Sequence, residues 1–183
     1  MPITAWITDI GNDLAYEVAV ETIVEWISGC VERLQELDAR VTLTDLPIAV
    51  LRDVSESKFL LLRSLLFPGS RLQLSELIAR SEALSCALQE LGKTRNIPVF
   101  TAPTQWYGWD PIHPRARHHV TMWRELLALF ANQPNHLQHV GDPWWQRTYL
   151  RLLRPESWRH YSVPRRASQP NGRLLDGTTI SIF

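Results

Sequence analysis

Apolar residues in this chain alternate between short dense runs and longer stretches with helical spacing. Ile3 to Ile10 is rich in β-branched and aromatic residues and ends at Gly11-Asn12, which predicts a buried strand and a turn. From about Leu14 to Leu37 the apolar positions Tyr16, Val20, Ile23, Val24, Ile27, Val31 and Leu34 recur at helical spacing. Glu17, Glu21, Glu25 and Glu32 fill the other face. Asp13 is placed to cap that helix. Val41 to Thr44 predicts a second strand, ended by Pro47. Glu56 to Phe67 predicts a helix closed by Pro68-Gly69. Leu72 to Arg95 predicts a long amphipathic helix with Leu74, Leu77, Ile78, Leu84, Leu88 and Leu91 on one stripe. Ile97 to Thr101 predicts a third strand. A loop holding Trp106 to His113 follows, and Pro114 opens a helix through about Ala131.

Strands alternating with helices predict an α/β fold with a parallel sheet and right-handed crossovers. In such a fold the functional crevice lies beyond the carboxyl ends of the strands. Two polar motifs fall there: Thr8-Asp9-Ile10-Gly11-Asn12-Asp13 after the first strand and Trp109-Asp110-Pro111-Ile112-His113-Pro114 after the third. The α/β domain is assigned to residues 1–133. Residues 134–183 are rich in Arg, Trp and Pro and read as an irregular extension. Within it, Asp142 to Leu153 suits a helix capped by Asp142 with Pro143 first. Arg173 to Phe183 suits a hairpin turning at Asp176-Gly177.

Asp110 and His113 are three residues apart and each precedes a proline, which restricts both towards extended backbone. A carboxylate held there can accept the imidazole Nδ1–H and leave Nε2 as a general base. The competing reading is a tight turn in which Asp110 caps a helix and His113 is incidental. Asn12 follows Gly11 at a strand-to-helix turn, where glycine allows a tight backbone conformation. Its amide can donate to a developing oxyanion. The competing reading is a turn asparagine bonded to its own backbone.

These residues resemble the third and fifth blocks of the SGNH/GDSL hydrolases. The strand followed by Gly11-Asn12-Asp13 is similar to the block Gly-x-Asn-Asp, with one residue fewer between Gly and Asn. The Asp110-x-x-His113 motif before the last helix is similar to the block that carries the triad acid and base. The resemblance covers about residues 3–132. It implies a flavodoxin-like, three-layer sheet and a serine ester hydrolase working through an acyl-enzyme, among esterases, lipases and carbohydrate or acyl-ester hydrolases. Asn12 would be the oxyanion donor, Asp110 the triad acid and His113 the base, with Gly11 and Asp13 shaping the oxyanion turn. No cofactor is implied, and the substrate would be a small-molecule or carbohydrate ester.

The family's nucleophile block, a Gly-Asp-Ser turn, should precede Asn12 by several tens of residues, as should a second oxyanion glycine. Neither is present, nor is a Gly-x-Ser-x-Gly elbow. Ser55 and Lys58 fit Ser-x-x-Lys without its supporting motifs. Three readings follow, in order of preference: an N-terminally truncated fragment, a partner chain that supplies the serine, and a non-catalytic remnant. Each predicts little or no esterase activity for this chain alone. The first strand, deprived of its neighbour, would be an exposed edge prone to self-association.

Charge adds a second class of function. The net charge is zero, but residues 1–113 carry nine basic and fifteen acidic side chains, and residues 114–183 carry ten basic and four acidic. All ten are Arg, so the alternative to a hydrolase is an interaction module binding an anionic partner through the C-terminal region. The plainer reading is mutual attraction of the halves or a solvated surface. No nucleic-acid reading motif is recognisable, and nucleic acid is not the expected partner. Six of the eight Trp lie after position 100, and packing is the default role for such large rings. Cys30 and Cys86 have neither metal nor disulfide spacing and are expected as buried thiols of a cytoplasmic protein. No signal peptide opens the chain. The apolar run Phe59 to Phe67 is too short to span a membrane. His113, His118 and His119 do not complete a metal site with Asp110, because adjacent helical residues diverge.

Overall fold

Three parallel strands, β1 (Thr4–Ile7), β2 (Arg40–Thr44) and β3 (Val99–Phe100), lie side by side in chain order in the computed structural model. The structure describes residues 3–130, 144–160, 163–174, 177 and 179–182. Thr4 sits opposite Arg40, Ile7 opposite Leu43, and Leu43 opposite Val99. Side chains alternate across a strand. Val41 and Leu43 therefore face one side, where they join one core cluster with Ile23 and Val31 of α2 (Val20–Glu36) and Leu84 and Leu88 of α5 (Leu74–Arg95). Each such side chain, fully removed from water, contributes roughly 1.5–3 kcal/mol. Trp6 and Thr42 are paired on the opposite side. There the Trp6 ring meets Trp123 of α6 (His119–Ala128) at 5.4 Å and Phe130 at 5.6 Å, both edge-on. The protein is α/β, with helical residues packed on both faces of a small parallel sheet.

The helix expected over Leu14 to Leu37 is two: α1 (Asn12–Ala15) and α2. The break falls at Glu17, in the left-handed region at φ 62°. Its carboxylate accepts hydrogen bonds from Ser70 Oγ at 3.1 Å and Arg71 N at 2.7 Å. The Arg80 guanidinium donates to Val18 O. Tyr16, expected in the apolar stripe, is 68% exposed and packs edge-on against Phe67. These partners lie more than fifty residues away in sequence, so local periodicity cannot register them. Asp13 does not cap a helix from outside. It lies within α1, where its carbonyl accepts from Tyr16 N and Val18 N.

The remaining elements differ mainly at their ends. Helix α4 (Glu56–Leu66) is close to its expected range, and Ser55 Oγ caps it by accepting from Lys58 N at 3.4 Å. That cap is the structural role of the Ser-x-x-Lys spacing. A short α3 (Ile48–Arg52) had no strong periodic signal. The helix expected from Pro114 begins after it, through a 3-10 turn at Ala116–His118 that leads into α6. Ala131 lies outside the described residues. Cys30 and Cys86 are exposed, not buried, because they sit on α2 and α5 away from the core stripes.

The chain divides into two compact units, Met1–Gln138 and His139–Phe183. The expected boundary at 133/134 falls in a stretch outside the described residues. The second unit holds α7 (Trp144–Leu152) and an antiparallel pair, β4 (Ser157–His160) with β5 (Val163–Arg166), that the sequence did not announce. Strands β6 (Gly172–Arg173) and β7 (Thr179–Ile180) pair antiparallel, as a hairpin requires. Gly177 lies between them at φ 89°, while Asp176, Asp142 and Pro143 lie outside the described residues. Among the described residues no helix is long and apolar enough to cross a membrane.

Candidate active site

The chain leaves β1 through Asp9, whose φ of 57° is left-handed, a conformation that aspartate tolerates. Its carbonyl accepts from Asn12 N at 3.2 Å and closes the turn. Gly11 was expected to provide the tight conformation, but its φ of −79° suits any residue. The reason for glycine is space: a Cβ there would stand 2.9 Å from Leu46 Cδ2. Asn12 opens α1, half-buried, and its side-chain amide has no hydrogen-bond partner among the described residues.

The second motif folds on itself. Asp110 Oδ1 accepts from Ile112 N at 2.8 Å and His113 N at 3.2 Å, which ties the turn. Asp110 Oδ2 meets His113 Nδ1 at 2.8 Å. The turn-forming and relay readings of Asp110 are therefore satisfied together, one oxygen each. A carboxylate only accepts, so Nδ1 carries the proton and the neutral ring presents its Nε2 lone pair. Burial raises the Asp110 carboxyl, but the Ile112 N–H, the His113 ring, the His113 N–H and the His113 charge outweigh it, and the group lies below its ordinary 3.8. Nε2 has no partner among the described residues.

Both motifs line one pocket of about 690 Å³ at the carboxyl ends of the strands. Gly11, Asn12, Asp110 and His113 all belong to its wall, whereas Asp13 does not. The helices contribute apolar side chains, among them Leu62 and Leu66 of α4, Leu77 of α5, and Met122 and Trp123 of α6. Two further members of the wall belong to neither motif. Asp45, just past β2, accepts from Ser85 Oγ at 2.7 Å, Gln89 Nε2 at 2.8 Å, Thr101 Oγ1 at 3.2 Å and its neighbour Leu46 N at 2.8 Å. It thereby ties α5 to the ends of β2 and β3, and the only sequence signal was a lone Asp at a strand end. Tyr107 is 7% exposed, and burial followed by the charges of Asp45 and Asp9 pushes its phenol up to about 12. It stays a neutral hydroxyl at working pH.

The other histidines go elsewhere. His118 stacks on Trp106 at 6.0 Å and accepts from Arg117 Nε at 3.0 Å. Desolvation, then the charges of Arg117 and Arg115, lower its pKa. His119 Nε2 lies 3.0 Å from Pro114 O. Among the described residues no three His, Cys, Asp or Glu side chains gather as a metal site. Thr8, Thr44, Ser70 and Ser81 bring hydroxyls to the pocket, and none is bonded to His113. No protein-family model, no curated protein and no solved structure matches the chain.

Proposed function

We propose that this chain provides the base and the oxyanion donor of an SGNH/GDSL-type serine ester hydrolase on a flavodoxin-like sheet. The nucleophilic serine comes from a segment or a partner chain outside residues 1–183. The observation that carries the reading is the 2.8 Å His113–Asp110 bond, with an unpartnered Nε2, on a pocket shared with Asn12. His113 Nε2 takes the serine proton as the hydroxyl attacks the ester carbonyl, then returns it to the leaving alcohol. Asp110 fixes the tautomer and stabilises the imidazolium. The Asn12 amide donates to the tetrahedral oxyanion. Water then releases the acid by the same path. The consecutive strand order β1-β2-β3 is compatible with the last three strands of a flavodoxin-like 2-1-3-4-5 sheet.

The test is intact mass and fluorophosphonate labelling of the protein from its native host. A labelled serine outside Met1 to Phe183, with labelling lost on His113→Ala, is the expected result. Ester turnover by residues 1–183 alone should be close to background. Turnover or labelling that survives His113→Ala would overturn the reading.

One observation favours the alternative, an anionic partner bound by the second unit. The β4–β5 register sets Trp158 opposite Arg165 and Ser157 opposite Arg166, and the Arg154 guanidinium lies 5.6 Å from the Trp158 ring centre. Polyanion affinity that falls with salt and vanishes when the chain is cut after residue 133 would support that module.

A further inference from the structure

We propose that the pocket beside Asp110 and His113 takes the apolar acyl chain of a neutral ester and disfavours the carboxylate product. The proposal rests on the hydrolase reading and narrows its substrate class. The pocket, about 690 Å³, is the size of a small-molecule site. Its helical wall is largely hydrocarbon: Leu62, Leu65 and Leu66 from α4, Leu74 and Leu77 from α5, Met122 from α6. Among the described residues the one Lys or Arg on that wall, Arg63, is engaged, since its Nη1 donates to Leu72 O at 2.7 Å. The acidic and motif members Asp9, Asn12, Asp45, Asp110 and His113 instead lie at or just past the carboxyl ends of the strands, and besides Arg63 the described residues of the longer helices add only Ser81 of α5 and His119 of α6 as polar lining. A ligand with one polar end and a plain hydrocarbon tail matches this division. A sugar in the same place would set most of its hydroxyls against leucine, with few polar side chains such as Ser81 to pair them.

Charge decides which polar end fits. Asp9, Asp45 and Asp110 outnumber Arg63 in the lining, so an anionic head is disfavoured and a neutral ester is not. Hydrolysis breaks the acyl–oxygen bond, adds water as hydroxyl to the acyl carbon and hydrogen to the alcohol, and releases a proton from the new acid. The resulting carboxylate meets three like charges, which favours its departure.

The probe is a series of methyl ketones of about six to twelve carbons, neutral and uncleavable, titrated against the fluorescence of the pocket residues Trp109 and Trp123. Affinity should rise about fourfold per methylene and level off once the pocket is full. The n-alkanoate of equal carbon number should bind about tenfold more weakly, with the gap closing as salt is raised. Leu65→Trp, at an exposed position on the pocket rim, should make affinity level off at a shorter chain. Leu62→Ala should move that point to a longer one. Affinity independent of chain length, or alkanoates binding as tightly as ketones, would overturn the proposal. So would a protein that is dimeric without ligand and loses its dimer to the ketones, because the occupant would then be a second copy. Ketones that bind as expected without any ester turnover in the native protein would reject the hydrolase and leave the acyl pocket. Turnover of short and long esters at equal kcat/KM would reject the pocket and leave the hydrolase.

Discussion

The two turns that open on the pocket are built by different rules. In the Asp110–His113 turn every bond is local: one carboxylate accepts three donors from residues two and three positions away. The flanking prolines restrict what little freedom remains. The Gly11–Asn12 turn is closed by one local bond, Asn12 N to Asp9 O, but its surroundings are set from a distance. A Cβ at position 11 would press on the Leu46 side chain, which would have to shift, and Ser70 and Arg71 anchor Glu17 just past the end of α1. The first turn can form from four residues, whereas the second needs β2 and the loop before α5 in place. Chemistry should therefore be most sensitive at the local turn, and folding most sensitive at the distant one.

The largest effect expected is on turnover. On the proposed hydrolase reading, Asp110→Asn should lower the kcat of the protein carrying its serine by about 10⁴-fold, because the wrong tautomer is favoured while the geometry survives. Stability should change by less than about 1 kcal/mol, since both side chains of the pair are half exposed, at 56% and 50%. A loss of kcat under tenfold would remove His113 from the relay. Asn12→Ala comes next, with a loss of about 10²–10³-fold in kcat. Normal turnover in that variant would reduce Asn12 to a turn residue.

Gly11→Ala tests the other half of the comparison. Its Cβ would meet Leu46 Cδ2 at 2.9 Å, and a crowded core contact of this kind costs about 1–3 kcal/mol. Urea unfolding should show that loss, and the loss should shrink in a Leu46→Ala background. The coupling in that double-mutant cycle should be about 0.5–3 kcal/mol. Additive losses would mean that Leu46 is not what position 11 feels.

The same distinction between local and distant contacts explains what the sequence disclosed. The stripe Ile23, Val31, Leu84 and Leu88 was legible because burial imprints a period on neighbouring residues, and all four lie in the core. The Asp110–His113 bond was legible because its two ends are three residues apart. The break at Glu17 was not, since its cause is Ser70 and Arg71. Nor was Asp45, whose four donors come from Leu46, α5 and the end of β3 and share no local pattern. The β4–β5 pair was hidden by Arg at three of its eight positions, Arg159, Arg165 and Arg166, which obscures alternation in a strand pair with little core to face.

A smaller effect separates the relay from a bare turn. Asp110 lies below its ordinary 3.8 partly through the His113 ring bond and charge. Removing the ring in His113→Ala should raise the Asp110 value, as followed by carboxyl carbon chemical shift against pH, while the two backbone bonds keep part of the depression. A folded value held low favours the folded state above the unfolded value, and that contribution fades as pH falls through the folded value. An Asp110 titration identical in the two proteins would show that the ring bond is not formed in solution.

The smallest effect belongs to Glu17, where the distant turn can be loosened by protons alone. The Arg71 N–H, then the Ser70 hydroxyl, hold its carboxyl below 4.5. The sign is again that of a depressed acid: stabilising above 4.5, and lost as pH falls through the folded value. Glu17→Gln keeps an acceptor oxygen and removes the charge. The variant should melt below wild type at neutral pH, and the gap should narrow steadily as the pH drops under 4.5. The exposed Glu32–Arg95 pair makes a useful contrast, since its loss should be reduced by salt while that of a backbone-anchored carboxylate is reduced less. A Glu17→Gln gap that stays constant across the acid range would place the cause in shape, not charge. The left-handed backbone at Glu17 would then be held by packing of Tyr16 on Phe67 in place of the carboxylate.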